Sequence, residues 1–170
     1  MPFQSTVRVD QGFGIPGEMR LDTPHRADSY ILDTTAPANN VVGRFCTVKS
    51  EGVAEVGGTG ALAGFLANPK VYALKGIAGD TLAPTLLLDN NEQVEVLCEG
   101  DIIVEVQTAA DIGDVVYYDT TTGEISTAAP GAAAPAGTAP AYAQVKRYQA
   151  AQDAQPGLAL IHVDLYPLIA

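Results

Sequence analysis

The chain has 170 residues, with 20 acidic and 9 basic side chains and a net charge of −11. That length suits one domain, which buries about 70% of its unfolded surface without disulfide or metal staples. Gly76–Val145 carries 11 acidic residues and no Lys or Arg, and an acidic surface of that extent argues against nucleic acid or an anionic membrane as partner.

Met1–Asp33 reads as an extended arm. Thr6–Asp10 alternates Val7 and Val9 with Arg8, as a short strand would. Glycine and proline then break any regular element through Gly12–Gly17 and at Pro24. Ordering each such residue costs about 1–2 kcal/mol of backbone entropy, so the arm needs a surface to lie on, its own body or a neighbour. Its arginines Arg8, Arg20 and Arg26 are opposite in sign to the acidic middle of the chain.

Residues 34–170 read as a β-rich body. Val41–Val48 is the first strand, Glu51-Gly52 a turn, and Val53–Val56, Ala61–Leu66, Val71–Leu74 and Leu82–Leu88 are further strands. Asp89-Asn90-Asn91 is a turn. Val94–Ser126 reads as two β-hairpins. The first turns at Glu99-Gly100-Asp101, with Val94, Val96 and Cys98 on one apolar face and Ile102, Val104 and Val106 on the next; Leu97 and Ile103 break the alternation. The second joins Val115–Tyr118 to Glu124–Ser126 through a loop ending at Gly123. The Ala/Pro/Gly-rich stretch 128–143 reads as a loop. Ala143–Ala150 and Leu158–Leu165 are the closing strands, followed by an apolar tail, Tyr166–Ala170. The longest uncharged run, Ile125–Val145, contains Pro130, Pro135 and Pro140, which forbid a membrane-spanning helix.

No residue pattern announces a reaction. Gly12-Phe13-Gly14-Ile15-Pro16-Gly17 matches the dinucleotide fingerprint in letters, but its preceding strand is short and polar, Pro16 removes a backbone donor and no apolar helix follows. Asp89–Gln93 resembles the start of a calcium loop, yet the positions that need Gly and Glu hold Val94 and Gly100. His162 shares a strand face with Asp164, and no nucleophile stands beside them. Cys46 and Cys98 lack metal-ligand spacing and read as buried free thiols. No catalytic residue, metal or cofactor is expected. Met1–Asp10 has no apolar run of the secretory kind, so cytoplasmic synthesis is expected.

Several stretches resemble the cement, or head-decoration, proteins of tailed bacteriophages. Gly14-Ile15-Pro16-Gly17-Glu18 with Asp22-Thr23-Pro24 is similar to the family's opening segment, and Asn40-Val41-Val42-Gly43-Arg44 to its first core strand. Ala63–Lys70 resembles its central loop. Gly113–Tyr118 running into Thr122–Ile125 resembles a late hairpin, and a strand like Leu158–Leu165 closes the family's chains. The Ala/Pro-rich stretch 128–143 has no counterpart.

The resemblance implies an all-β fold, a jelly-roll-like or β-barrel body with an extended N-terminal arm. It implies a structural virion protein on the outer capsid surface, made in the host cytoplasm, that clamps neighbouring major capsid proteins and has no catalytic residues. Copies of the chain, as dimer or trimer, are the other expected partner. The expected contact residues are Arg8, Phe13, Ile15, Pro16, Arg20 and Arg26 in the arm and Tyr166, Leu168 and Ile169 in the tail. A small β-barrel ligand- or carbohydrate-binding module of a phage fibre or adhesin is the alternative.

Overall fold

Alternating short apolar strands cannot bury their faces singly, and here they close on one another around a single long strand. The computed structural model describes residues 14–69, 87–150 and 157–165. Nine strands occur among them: β1 (Arg26–Leu32), β2 (Phe45–Ser50), β3 (Val53–Val56), β4 (Ala61–Leu66), β5 (Gln93–Val106), β6 (Val115–Asp119), β7 (Ile125–Ala128), β8 (Thr138–Gln149) and β9 (Gly157–Asp164). Among the described residues the only helical element is one 3-10 turn, Pro37–Asn39. The β-barrel form of the expected all-β fold is the one observed.

β5 is shared by two closed circuits of five strands. One runs β1-β3-β2-β4-β5 and returns to β1; the other runs β5-β7-β6-β8-β9 and returns to β5. The β5–β7 link is the narrowest, a single parallel pair, Val106 with Ile125, extended by the Gln107 N–H to the Ile125 carbonyl. Each circuit has its own apolar filling. Leu32, Cys46, Val56, Leu66, Val94 and Val96 fill the first. Ile102, Val104, Val106, Val116, Ile125, Ile161 and Val163 belong to the second.

A further layer joins the two. Phe45, Phe65 and Leu97 leave the first circuit's strands on their other face and pack into the second cluster. Phe45 stacks on Tyr118 with ring centroids 4.2 Å apart and meets Phe65 edge-on at 5.0 Å. β2, β4 and β5 are therefore covered on both faces, which is why Leu97 interrupts the alternation.

Several elements differ from the sequence reading. Glu99-Gly100-Asp101 is no hairpin turn: β5 runs through it unbroken, pairing with β1 up to Glu99 and with β9 from Glu99 onward. Val41–Arg44 is a turn, with Val41 bridged to Leu87, so β2 starts at Phe45. β8 begins at Thr138, inside the Ala/Pro-rich stretch, because Pro140 falls opposite Tyr117 beside a register shift where its missing N–H is tolerated. Arg26–Leu32, read as arm, is β1. The strands expected at Thr6–Asp10 and Val71–Leu74, and most of Leu82–Leu88, lie outside the described residues.

Candidate functional site

The segment before β1 lies along the edge of β5 that β4 leaves free. Pro16-Gly17 make a turn closed by the Glu18 N–H to the Ile15 carbonyl, 3.1 Å. A short antiparallel ladder follows. Gly17 donates to the Ile103 carbonyl (2.8 Å), Ile103 to Glu18 (3.0 Å) and Arg20 to Asp101 (2.8 Å), with Met19 opposite Ile102. On the other side Asn68 donates to Gly17 (2.7 Å).

Two glycines make this seat possible. The Ile103 side chain fills the space a Cβ on Gly14 would need, so Ile103 is 1% exposed although it faces away from the barrel filling. At Gly100, φ is +122°, and a Cβ would lie 2.8 Å from His25 Cβ and 3.1 Å from the Pro24 carbonyl. Residues 14–25 thus rest on Gly100–Ile103.

Beneath the seat is a charged cluster. The buried Asp101 carboxylate accepts from Lys146 Nζ at 3.0 and 2.8 Å and pairs with His162 Nδ1 at 2.7 Å. Burial pushes Asp101 up, but hydrogen bonds from Lys146 and His162 and their nearby charge outweigh it and hold the carboxyl below its ordinary value. Lys146 sits at the register shift between Val145 and Arg147, which turns it to the same outer face as His162. The three side chains fasten β5, β8 and β9 together. His162 was grouped with Asp164 in the sequence; its hydrogen-bond partner is Asp101. The available signal was Asp101 itself, a carboxylate at the head of the apolar run Ile102–Val104.

The expected contact residues fall as follows. Ile15 is 55% exposed at the turn, and Leu21, which is not among the expected contacts, is 62% exposed. Pro16 is half-buried. Arg20 pairs bidentately with Asp22 at 2.9 and 2.7 Å, and Arg26 lies 3.7 Å from Asp28. Two of the arm's arginines therefore have acidic partners two residues away. Arg8, Phe13, Tyr166, Leu168 and Ile169 lie outside the described residues. Leu165, the last described residue, donates to the Cys98 carbonyl at 3.1 Å, so both terminal segments meet β5 between Cys98 and Ile103.

Among the described residues no group of three or more His, Cys, Asp or Glu is placed to hold a metal. A groove of about 100 Å³, lined by Val41–Arg44, Glu105, Gln107, Glu124 and Ile125, is crossed by the Arg44–Glu124 ion pair at 2.8 Å. It is below the size of ordinary small-molecule pockets, about 300–1,000 Å³.

The family whose model matches is the structural cement protein (E217 gp24/Pam3 gp6), aligned over residues 3–163. The chain belongs to the phage structural cement protein family. It is a structural, capsid-stabilising component of a bacteriophage, associated with capsid proteins in the virion. The cement protein is also similar in fold to a chain from the capsid of Myoviridae phage XM1, with a TM-score of 0.58 and 19% identity over 96% of this chain and 98% of that one. No curated protein sequence matches it.

Proposed function

We propose that the cement protein sits on the outer capsid surface and ties neighbouring major capsid proteins together through its terminal segments. The observation that carries this is the ladder of Gly17–Arg20 on β5. The backbone holds the segment, which leaves the side chains of Ile15 and Leu21, 55% and 62% exposed, for a partner. A ligand that binds only the assembled shell stabilises it by mass action, and many weak sites multiply the effect.

In this reading the contacts are Arg8, Phe13, Ile15, Pro16, Arg20 and Arg26 with Tyr166, Leu168 and Ile169. The copies act as a homo-oligomer made in the host cytoplasm, and the net charge of −11 keeps the protein off DNA and anionic membrane. The arm to test is residues 1–13, because a deletion through Asp33 would also remove β1.

The test adds purified protein to heads that lack it. Wild type binds saturably, near one copy per shell-protein site class, and raises the heads' resistance to heat. Deletion of residues 1–13, and the Ile15→Asp/Leu21→Asp double variant, weaken binding by at least about tenfold, the loss of ~1.4 kcal/mol, with the free protein's Tm unchanged. Full decoration by both variants rejects the arm as the contact.

A further inference from the structure

We infer that the outer edge of β1 pairs with β1 of a second copy of this chain, antiparallel and centred on Ala27. This rests on the homo-oligomer of the reading above, and not on which residues meet the shell.

The first circuit is open along one seam. β5 pairs with β1 from Arg26 to Ile31, while β3 reaches only Ile31 and Leu32. Backbone groups along an antiparallel strand point alternately to its two edges. Leu32 N–H donates to the Glu92 carbonyl on the β5 side, and the N–H groups of Ile31 and Asp33 donate to Gly52 and Ala54 on the β3 side, each at 2.9 Å. The register holds from Ala27 to Ile31, so Ala27 and Ser29 turn their N–H and C=O groups to the same edge as Ile31. Both residues are exposed, and among the described residues no strand pairs with that edge before Ile31. An open edge is a template for another strand.

Charge selects the occupant and the register. Native proteins guard open edges with charged side chains. Here the guards are Arg26 and Asp28, on one face and 3.7 Å apart. They stand on either side of Ala27 and are opposite in sign. A two-fold contact needs a patch that complements itself. Centred on Ala27, the ladder sets Arg26 of each copy opposite Asp28 of the other, at positions without backbone bonds, where facing side chains lie closest. Centring on Asp28 would set carboxylate against carboxylate. Centring on Ser29 would set Arg26 opposite Leu32 and run the ladder into Ile31, whose N–H Gly52 already holds. A strand without the matching pair of charges is disfavoured at the same edge.

The neighbouring acids do not reverse this choice. Glu95 and Glu99 stand opposite Ser29 and Arg26 on β5. They are two strand spacings, about 10 Å, from the partner's β1, which is the range at which salt screens exposed charges. The ladder is short, and its area is well under the roughly 1,200 Å² of a stable interface. Free copies therefore pair weakly. Copies held side by side on a shell pair at high effective concentration.

The test uses full-length free protein at high concentration. Ala27→Cys and Ser29→Cys are oxidised side by side, with Cys46 and Cys98 buried in both. In the Ala27-centred ladder the two Ala27 Cα atoms lie about 5.5 Å apart, within disulfide reach, and the two Ser29 are four residues out of register, at least about 13 Å apart. Ala27→Cys should form covalent dimers at least tenfold faster. Sedimentation velocity then follows the charges. Arg26→Asp and Asp28→Arg, each of which sets like charges across the ladder, should weaken self-association at least tenfold, and the double variant should restore it. An unchanged Tm in each variant separates a lost contact from a lost fold. Equal cross-linking at both positions, none at either, or a double variant no better than the singles would overturn the inference. Head cosedimentation of the wild type is read separately: its absence would overturn the shell reading and leave the β1 pairing standing.

Discussion

Lys146 Nζ lies 3.0 and 2.8 Å from the two carboxylate oxygens of Asp101, and the carboxylate is almost entirely buried while the lysine is half-exposed. That asymmetry decides what each substitution does. Lys146→Met leaves a buried carboxylate with only His162, and a hydrogen bond to a charged group is worth about 1.5–3 kcal/mol. Asp101→Asn leaves the lysine free to hydrate, so it costs less. Thermal unfolding of the two variants should rank Lys146→Met as the less stable. The reverse order would mean that the cluster does not fasten β8 to β5.

The same carboxylate gives the acid response a sign. Asp101 is held below its ordinary value in the fold by Lys146 and His162 against the opposing effect of burial. Asp119, at the β6–β7 turn, is also lowered, with backbone hydrogen bonds from Thr122 and Thr121 outweighing burial. A depressed carboxyl contributes stability above its unfolded pKa of about 3.9, and that stability is lost as pH falls through the folded value. Tm should hold on acidification to about pH 4 and then fall steeply. Asp101→Asn should flatten part of that fall. An identical acid limb in wild type and variant would refute the assignment.

Phe45 ties the two circuits together, and its removal should be felt in both. It stacks on Tyr118 of the second circuit and meets Phe65 of the first, with all three rings buried. Phe45→Ala should cost about 3–5 kcal/mol and still give one calorimetric transition, since the circuits share β5 as well as this layer. Two resolved transitions would show that the circuits unfold separately.

The parts of this fold that the sequence revealed are local. Ala61–Leu66 and Val53–Val56 were legible because apolar runs end at glycine turns beside them, and both form strands with those bounds. The β6–β7 hairpin was legible through Gly123. The seat on β5 was not, because its causes are distant in sequence. Glu99-Gly100-Asp101 has turn composition, but Gly100 is needed where Pro24 and His25 cross the strand. Leu97 and Ile103 did break the alternation, and each marks a second covering layer: the Phe45–Phe65 pair over one and the Gly14–Glu18 turn over the other. The partners of Asp101 lie 45 and 61 residues away, beyond any pattern in a strand. Arg20 and Arg26 carry local ion pairs with Asp22 and Asp28, and Arg20 also feels the charge of Asp101 on β5.

The thiols were legible as buried and free, and both are. Burial pushes Cys46 up to about 12, and burial, followed by the charge of Asp28, raises Cys98. The thiolate is the reactive form. At about pH 8 a small aromatic disulfide reagent should therefore label neither thiol at an appreciable rate in the folded protein, and both at once in denaturant. Cys98, which donates to the Arg26 carbonyl at 3.2 Å under β1, should react before Cys46 when the protein is only partly destabilised. Faster labelling of Cys46 would place the weak point in the first circuit's interior instead of at the β1 edge.

Gly100→Ala tests the seat directly. The substitution places a Cβ at a φ of +122°, 2.8 Å from His25 Cβ, so either β5 or residues 24–25 must shift. Strain of this kind costs about 1–3 kcal/mol. The shift should loosen the Gly17–Arg20 ladder, because Arg20 bonds to Asp101, the next residue. Hydrogen exchange should then show faster exchange at Gly17 and Arg20, while β6 and β7 amides, on the far side of the second circuit, keep their protection. If exchange rises evenly across the molecule, the glycine supports the barrel as a whole and has no special part in holding the N-terminal segment.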